Sequence, residues 1–317
     1  MVISVIGAGT MGKSISLVFA LAGYHVNVYE PSEQIRKSAP DSIRGYADLM
    51  EEMNVIQNTK KEKAMDCIQL YDNIYDAVYD ADFVIEVIPE NLEMKQNLFK
   101  ELDGICKEEC IFASNTSSLR LDDLMKYLSI KRKEKTLICH FYNPAHIMPI
   151  VELSHYGNMP EKTFNVVKNM LVNIGKEPVK VDKDVLGLVA NRIQNAMARE
   201  IFYMIENEIA EPDEIDKALK YGPCFRYATT GQQEIIDMGG SDIWATVADI
   251  VWPDLEDRKD APDILKEKVR EGKLGIKTGE GFRVYPDHEK REEVIKNFHK
   301  RLMMQLIVSK KMNHTEL

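Results

Sequence analysis

The sequence VISVIGAGTMGKSISLVFALAGYHVNVYE, residues 2–30, decides the fold of this chain. An apolar run at Val2–Ile6 predicts a buried parallel strand, and a glycine-rich loop follows it directly. A helical pattern then leads to His25–Tyr29, which predicts a second strand. A strand, a glycine loop, a helix and a second strand in this order predict a Rossmann-like α/β unit with a mostly parallel sheet.

The glycine-rich loop predicts a dinucleotide site. Gly7 allows a tight turn, Gly9 lets the backbone approach a pyrophosphate, and Gly12 lets helix and strand pack closely. The helix N-terminus behind the loop offers N–H donors and a positive dipole to the phosphates. Glu30 ends the second strand, 18 residues after Gly12, where its carboxylate can accept both ribose hydroxyls. Because this carboxylate would repel a 2′-phosphate, the sequence favours NAD over NADP as the cofactor.

Composition and charge exclude several classes of protein. The net charge of -10 argues against nucleic acid as a partner. No apolar run reaches membrane-spanning length, so no membrane partner is expected. Five scattered cysteines without the spacing of metal ligands predict reduced thiols, no metal site and a cytoplasmic location.

The length of 317 residues favours two domains. Residues 1–184 carry the strand patterns and predict the NAD-binding Rossmann-like domain, with an inserted helical arm at residues 32–66. After Asp184 only helical patterns follow, so residues 185–317 predict an all-α C-terminal domain.

Polar side chains stand at the ends of several predicted strands. Glu90, Asn115, Ser117 and His140 all lie at or just after the end of an apolar run. Ligands of open α/β sheets bind beyond the carboxyl ends of the strands. These side chains therefore predict a polar cleft for a small-molecule substrate beside the dinucleotide unit.

The stretch TLICHFYNPAHIMPIVE, residues 136–152, combines a histidine and a glutamate. A strand, a turn and a returning strand would set the carboxylate of Glu152 beside the ring of His140. A histidine oriented by a carboxylate is the usual general base near pH 7. The alternative, a core histidine beside a surface glutamate, stays open at this point.

Asn191 lies in the first turns of a long helical pattern at residues 187–210, close to the predicted domain boundary. This position predicts a contact with the substrate in the cleft. The alternative is a helix cap, because asparagine is common at helix starts.

Six motifs of the chain resemble the L-3-hydroxyacyl-CoA dehydrogenase family, namely GAGTMG, PENLEMKQNLF, SNTSS, HFYNP with VEL, GLVANR and GIKTGEGF. The resemblance extends over nearly the whole chain, and ordered motifs are far more specific than any one alone. It implies an NAD-dependent dehydrogenase with a Rossmann-like domain and a helical domain that pairs two subunits. A homodimer is therefore expected.

The resemblance implies catalytic roles for four residues. His140 matches the catalytic base, and Glu152 matches its carboxylate partner. Ser117 matches a group that contacts the substrate oxygen near the nicotinamide, and Asn191 matches a polar group on the substrate side. The implied cofactor-binding residues are Gly7, Gly9, Thr10, Met11, Gly12, Glu30, Glu90, Lys95, Asn115, Ser117 and Lys277. For the two lysines of this set, the residues alone would favour exposed positions on a helix and a loop.

The implied reaction is the oxidation of a 3-hydroxyacyl substrate, such as L-3-hydroxybutyryl-CoA, to its 3-oxo product. Family members that act on CoA thioesters carry, in the arm, a serine followed seven residues later by a lysine, within a basic stretch. The counterpart here is Ser42, followed by Leu49 and then by Glu51 and Glu52. An acidic stretch attracts the anionic phosphates of CoA less, so CoA binding is expected to be weakened.

Residues 221–231, YGPCFRYATTG, resemble relatives that act on free hydroxy acids, including L-gulonate 3-dehydrogenase (lambda-crystallin) and L-carnitine dehydrogenase. Arg226 can clamp a substrate carboxylate in bidentate fashion, or it forms an interdomain or dimer salt bridge. Residues 252–262, WPDLEDRKDAP, are similar to a relative that oxidises a pyridine-carboxylate alcohol. A free small hydroxycarboxylate is therefore the competing substrate class.

Two other classes of protein compete with this assignment. A non-catalytic NAD-binding protein would not need His140, Glu152, Ser117 and Asn191 together. The lysine-dependent β-hydroxyacid dehydrogenases need a catalytic lysine on the long helix after the domain boundary, and residues 187–210 contain none.

Overall fold

The computed structural model describes residues 1–313, and the chain divides into two compact units. The first unit comprises Met1–Asn191 and His299–Ile307. The second comprises Arg192–Phe298 and, within the described residues, the chain from Val308 to Asn313. Within residues 1–313, no helix is both long enough and apolar enough to cross a membrane.

An eight-stranded sheet forms the frame of the first unit, with the strand order β3-β2-β1-β4-β5-β6-β7-β8. The strands are β1 Val2–Ile6, β2 His25–Tyr29, β3 Ile68–Tyr71, β4 Phe83–Glu86, β5 Ile111–Ser114, β6 Thr136–Phe141, β7 Ile150–Ser154 and β8 Glu177–Lys180. All neighbouring strands pair in parallel except β6 and β7, which are antiparallel. The predicted Rossmann-like, mostly parallel sheet is confirmed.

The helices of the first unit cover both faces of this sheet. They are α1 Thr10–Leu21, α2 Glu33–Glu52, α3 Asn58–Asp66, α4 Ile74–Val78, α5 Leu92–Ile105, α6 Leu121–Leu124, α7 Ile130–Lys133 and α8 Glu161–Asn173. Four of the five residues of β1 are apolar because the two faces of this strand meet different apolar clusters. Ile3 and Val5 pack with Phe19 of α1 in one cluster, and Ile6 packs with Phe99 of α5 in the other.

The predicted helical arm, residues 32–66, contains α2 and α3. Ser32 begins α2 by accepting a hydrogen bond from the Ile35 N–H at 3.4 Å. The buried side of α2 includes Ile43 and Ala47, and it packs in one apolar cluster with Met303. Met303 belongs to the segment His299–Ile307, so a short part of the last helix completes the core of the first unit.

The second unit is built of helices, as the sequence predicted. Helix α9, Ala190–Glu206, begins at the end of the first unit and continues into the second. The helices that follow are α10 Pro212–Tyr221, α11 Pro223–Tyr227, α12 Gln232–Gly239, α13 Ser241–Val251, α14 Asp263–Arg270 and α15 His288–Asn313. A 3-10 turn extends α13 at Trp252–Asp254, and a short turn region with isolated bridges lies between residues 275 and 284.

The compact units differ from the predicted domain division at residue 184. The first unit continues to Asn191 because the carboxylate of Glu152 in β7 binds the backbone at Val189 and Ala190. The segment His299–Ile307, which the division at residue 184 assigns to the C-terminal domain, belongs to the first unit. Residues 314–317 of the predicted C-terminal domain lie outside the described residues.

Candidate functional site

The loop between β1 and α1 has the conformation that the glycine motif requires. Gly7 has a φ of 109°, a backbone conformation that favours glycine. A Cβ added at Gly12 would lie 1.8 Å from the carbonyl oxygen of Gly7, so only glycine fits there. A Cβ at Gly9 would meet no protein atom within 4 Å, which leaves room for a ligand to approach the backbone. Thr10 and Met11 open α1 directly behind the loop, where free N–H groups favour a pyrophosphate.

Glu30 connects the end of β2 to this loop. Its Oε2 accepts a hydrogen bond from the Ala8 N–H at 2.9 Å, and its Oε1 accepts one from the Ser32 N–H at 3.0 Å. The side chain is buried, with 7% of its surface exposed. A carboxylate held beside the glycine loop fits the ribose hydroxyls of NAD, and the residues present therefore suit this cofactor.

The antiparallel pair β6–β7 sets His140 directly opposite Glu152 in the register of the sheet. Nδ1 of His140 lies 3.0 Å from Oε2 of Glu152, and both side chains are buried. Because the carboxylate accepts the Nδ1–H, Nε2 of His140 is the ring nitrogen that can act on a substrate proton. The imidazole of His140 can thus act as a base whose orientation is set by the carboxylate of Glu152.

The N-terminus of α9 holds the other oxygen of Glu152. Oε1 accepts hydrogen bonds from the Val189 N–H at 2.8 Å and the Ala190 N–H at 2.9 Å. Burial raises the pKa of this carboxyl, but the hydrogen bonds from His140, Ala190 and Val189 outweigh burial and hold the pKa below its usual value. The carboxylate therefore stays ionised beside the imidazole and can stabilise an imidazolium.

Tyr142 links His140 to Asn191. The two aromatic rings of His140 and Tyr142 meet edge to face with 5.6 Å between centroids. The phenol of Tyr142 donates to Oδ1 of Asn191 at 2.5 Å. Tyr142 therefore contacts both His140 and Asn191. It was missed in the sequence, although it lies only two residues after His140, directly after the end of β6.

The SNTSS loop after β5 carries Ser117, whose side chain is half-buried. Among the described residues the Ser117 hydroxyl has no hydrogen-bond partner, while its backbone carbonyl accepts from the Gly187 N–H at 3.1 Å. Asn115, two residues earlier, accepts a hydrogen bond from the Phe141 N–H at 2.8 Å through Oδ1. The amide of Asn115 therefore joins the ends of β5 and β6, beside His140.

Glu90 holds both neighbours of Ser117. Its Oε1 accepts hydrogen bonds from the hydroxyl of Thr116, from the Ser118 hydroxyl at 2.6 Å and from the Ser118 N–H at 3.2 Å. Burial raises the pKa of Glu90, but the bonds from Ser118 and Thr116 and the charge of Lys95 lower it further, so that the pKa lies below its usual value. Glu90 is therefore an ionised acceptor for this loop.

Lys95 on α5 is buried, with 1% of its surface exposed, and the interpretation as an exposed helix lysine is wrong. Its ammonium donates to Oε1 of Glu86 at 2.6 Å and lies 3.2 Å from Oε2 of Glu90. Glu86 is completely buried and also accepts from the Ser114 hydroxyl at 2.6 Å. Glu86 was missed in the sequence, although an acid inside the apolar run FVIEVI requires a partner.

Arg226 and Lys277 lie in the second unit and are exposed. Arg226 is part of α11, and its guanidinium has no ion pair among the described residues. Lys277 lies in the turn region after α14 and lines an apolar pocket together with Leu265, Val269 and Phe282.

The arm has a leucine, Leu49, at the position where family members that act on CoA thioesters have a lysine. The Ser42 hydroxyl accepts a hydrogen bond from the ammonium of Lys13 at 3.3 Å. Leu49 is buried in the apolar cluster that contains Met303. Glu51 forms an ion pair with the ammonium of the buried Lys61 at 2.6 Å, so part of the acidic stretch is neutralised. Within the part of the chain that the structure describes, no group of His, Cys, Asp and Glu side chains could hold a metal ion.

Two family models match the chain. The model of the 3-hydroxyacyl-CoA dehydrogenase NAD binding domain matches residues 2–185, and that of the C-terminal domain matches residues 187–285. The 3-hydroxybutyryl-CoA dehydrogenase of Bradyrhizobium diazoefficiens is 33% identical over 284 residues, which cover 89% of this chain and 94% of that protein. The 5-formyl-3-hydroxy-2-methylpyridine 4-carboxylate 5-dehydrogenase of Mesorhizobium japonicum is 29% identical over 283 residues, which cover 89% of this chain and 90% of that protein.

A solved structure resembles the chain over its whole length. It is the crystal structure of 5-formyl-3-hydroxy-2-methylpyridine 4-carboxylic acid 5-dehydrogenase, described as an NAD⁺-dependent dismutase. The TM-score is 0.89 at 28% identity, with 99% of each chain covered. By its two family models and its fold, the chain belongs to the 3-hydroxyacyl-CoA dehydrogenase family, as an NAD-dependent oxidoreductase that acts on CH–OH groups.

Proposed function

We propose that His140 is the general base that removes the proton of a substrate alcohol, with Glu152 as its orienting carboxylate. The observation that carries this proposal is the 3.0 Å contact between Nδ1 of His140 and Oε2 of Glu152, below the N-terminus of α9. NAD⁺, when bound, accepts the hydride from the carbinol carbon. Nε2 of His140 takes the hydroxyl proton as the C=O bond forms, and in the reverse direction the imidazolium returns it.

Glu152 fixes the tautomer of His140 and stabilises the charge that the ring acquires. Ser117 and Asn191 orient the reacting oxygen, since the Ser117 hydroxyl is unused by the described residues and Asn191 is held beside His140 by Tyr142. The pyrophosphate binds to the backbone at Gly7, Gly9, Thr10, Met11 and Gly12, and the ribose binds to Glu30. The further cofactor-side residues of this proposal are Glu90, Asn115 and Lys277. Lys95, which is 1% exposed, acts on the cofactor side through its ion pair with Glu90.

A free small hydroxycarboxylate is the substrate class that the geometry supports best. Leu49 is part of an apolar cluster, and Ser42 is already bonded to Lys13, so α2 offers no cation of its own to CoA phosphates at these positions. The whole-length likeness to a pyridine-carboxylate dehydrogenase supports the same class. Arg226, an exposed arginine without an ion pair among the described residues, is the proposed carboxylate clamp.

An L-3-hydroxyacyl-CoA substrate is the second candidate. The specific observation in its favour is the 33% identity to a 3-hydroxybutyryl-CoA dehydrogenase over 89% of this chain. A CoA thioester and a free hydroxy acid place the same secondary alcohol beside His140, so both candidates use the same proton transfer.

A paired rate comparison tests the reaction and the substrate class together. NADH formation is followed with L-3-hydroxybutyryl-CoA in one arm and with a panel of free 3-hydroxy acids in the other. We expect turnover in the free-acid arm and a loss of about 10²-fold in kcat/KM of that arm for Arg226→Ala, because a charged hydrogen-bonded partner is removed. Arg270→Ala, at another exposed arginine of the second unit, is the control. Turnover in the CoA arm alone would overturn the free-acid assignment, and equal losses in both arms would show a structural arginine.

A homodimer is also proposed, through the helices of the second unit. Large apolar side chains on and after α13 are exposed in the single chain, with exposed fractions of 59% for Ile243, 72% for Ile250 and 71% for Trp252. Ile243 and Ile250 lie seven residues apart on α13 and so share one face of this helix, and exposed apolar side chains on one face favour a protein interface. The free cysteines, Cys67, Cys106, Cys110, Cys139 and Cys224, support a reducing compartment and hence the proposed cytoplasmic location.

A further inference from the structure

A buried ionic network lies next to the proposed active site and has no part in the proton transfer itself. Glu86 at the end of β4 is 0% exposed, and Lys95 on α5 is 1% exposed. Two buried charges of opposite sign at 2.6 Å are stable only when their remaining hydrogen bonds are also satisfied. The Ser114 hydroxyl donates to Oε2 of Glu86 at 2.6 Å, and the Ile88 N–H donates to Oε1 of Glu86 at 2.8 Å.

The network continues from Lys95 to the SNTSS loop through Glu90. Lys95 is 3.2 Å from Oε2 of Glu90, so only Oε1 of Glu90 is directed to the loop. That oxygen accepts from the hydroxyl of Thr116 and from both the N–H and the hydroxyl of Ser118. The residues on either side of Ser117 are therefore attached to one carboxylate oxygen.

Thr116 fixes the loop from inside the protein. Its hydroxyl donates to Glu90 and accepts from the Leu119 N–H at 3.0 Å and the Ser118 N–H at 3.3 Å. With three partners, this hydroxyl has a single orientation. Only 1% of the surface of Thr116 is exposed, so its side chain cannot touch a cofactor or a substrate. Any effect of Thr116 on the reaction must pass through the loop.

We propose that the Glu86–Lys95–Glu90 network, acting through Thr116 and Ser118, positions the Ser117 hydroxyl at the reacting oxygen. These are positioning residues, and the inference rests on the proposed function in one respect, namely that Ser117 contacts that oxygen. In this account Lys95 keeps Glu90 ionised and directed at the loop.

The position of one hydroxyl matters because its contribution depends on distance. A misplacement of about 1 Å in an active site can cost about 10²-fold in rate. The Ser117 hydroxyl has no hydrogen bond to any described residue, so its place is set by its backbone alone. Three hydrogen bonds fix this backbone. The Ser118 N–H donates to Glu90 and to the Thr116 hydroxyl, and the Leu119 N–H donates to the Thr116 hydroxyl.

A double-mutant cycle between Thr116→Val and Ser117→Ala tests the inference. NADH formation is measured with NAD⁺ and either L-3-hydroxybutyryl-CoA or 3-hydroxybutyrate, and NADH binding is measured by fluorescence titration. We expect Thr116→Val to lower kcat by about 10-fold or more while the Kd of NADH changes by less than about twofold. In the Ser117→Ala background the same substitution should change kcat by less than about twofold, because its target is gone.

Glu93→Gln is the matched control, since Glu93 is an exposed acid on the first turn of α5. Ser118→Ala, which removes an exposed hydroxyl bonded to Glu90, provides a milder second variant if Thr116→Val fails to fold. Equal losses from Thr116→Val with and without the Ser117 hydroxyl would overturn the inference, and so would a loss confined to NADH affinity.

Amide hydrogen exchange separates this inference from the proposed function. Thr116→Val or Ser118→Ala should speed exchange at the amides of Ser118 and Leu119, and Glu93→Gln should not. Unchanged exchange in both variants would overturn the inference without any assay of turnover. If the wild-type enzyme turned over neither probe, or if Ser117→Ala left kcat intact, the proposed function would fail, while the exchange data would still decide whether the network holds the loop.

Discussion

Two buried histidines, His140 on β6 and His146 on the connection between β6 and β7, have different partners. His140 binds a carboxylate through Nδ1, whereas Nδ1 of His146 lies 2.7 Å from the hydroxyl of Ser14. The ring of His146 stacks on Tyr46 at 4.5 Å, and its Nε2 is buried without a hydrogen-bond partner among the described residues. A hydroxyl cannot neutralise an imidazolium as a carboxylate can. Burial, together with the charges of His299 and Lys176, lowers the pKa of His146 to about 3.

The depressed pKa of His146 predicts acid lability. The unfolded chain binds this proton below about pH 6.5 and the folded chain only near pH 3, so the free energy of unfolding falls as the pH is lowered between these values. The contribution of one such group is about 1.4 kcal/mol per pH unit at most. Urea unfolding at pH 7, 6 and 5 should show a shallower decline for His146→Asn than for the wild type. His288→Asn, at an exposed histidine of α15, should leave the decline unchanged, and an identical slope in all three proteins would contradict this account of His146.

The sequence could predict some side chains of the candidate site but not others. His140, Glu152 and Ser117 follow from strand ends and from the family motifs, because their chemistry is visible in the residue type. Glu86 and Thr116 were missed because their importance depends on partners far along the chain, with Glu86 28 residues from Ser114. Only the parallel pairing of β4 and β5 brings these groups together.

Among the elements, the turn from β1 into α1 is the one whose geometry is most restrictive. Gly9 and Gly12 lie three residues apart in it, yet they need glycine for different reasons. At Gly12 an added methyl group would collide with the Gly7 carbonyl at 1.8 Å, whereas at Gly9 it would meet only open space. The fold itself requires a glycine at Gly12, whereas we propose that Gly9 is needed for the approach of a bound pyrophosphate.

This difference predicts opposite effects of two alanine substitutions. Gly9→Ala should fold with a melting temperature close to that of the wild type, but it should weaken NADH binding by about 10-fold or more, because the methyl group occupies the path of the phosphates. Gly12→Ala should lower the melting temperature itself, since the loop must shift. Thermal unfolding and NADH titration of both variants are the measurements. A Gly9→Ala protein with unchanged NADH affinity would show that the pyrophosphate does not approach this loop.

Element bounds illustrate what local pattern can predict. The strands β1 and β2 begin and end where the sequence predicted, because the apolar pattern on either side of the glycine loop and first helix marks them. Helix α9 begins at Ala190, three residues after the predicted start at Gly187. Its start is set by tertiary contact, since Glu152 binds the N–H groups of Val189 and Ala190, and no local signal carries that information.

At the scale of the whole molecule, the second unit has large apolar side chains that are exposed in the single chain. Ile250 is 72% exposed on α13, beside the exposed Trp252. Ile250→Asp should therefore shift the protein from dimer to monomer in light scattering at micromolar concentration, because a charge in an apolar interface is costly. Val172→Asp, at a 52% exposed valine of α8 in the first unit, should leave the dimer intact. A wild-type protein that is monomeric at that concentration would contradict the proposed homodimer.

The division of the chain also shows a limit of sequence reasoning at this scale. A change of composition near Asp184 predicts where helices replace strands, but it cannot predict that His299–Ile307 packs with α2. Met303 is fully buried there, more than two hundred residues from its neighbours Ile43 and Ala47. Such a contact has no signature in the local pattern of α15, because any apolar residue on a helix could fill it.

The central claim is that His140, oriented by Glu152, moves the substrate proton, and replacing the imidazole tests it most directly. His140→Gln should lower kcat by about 10²–10⁴-fold while the Kd of NADH stays within about twofold of the wild type, because the base is lost and the cofactor site is not. His155→Gln should keep near-normal turnover and is the control, because this buried histidine accepts from the Gly157 N–H and packs on Phe164, away from the candidate site residues. A His140→Gln enzyme with near-normal kcat on the substrate identified in the paired rate comparison would contradict the claim.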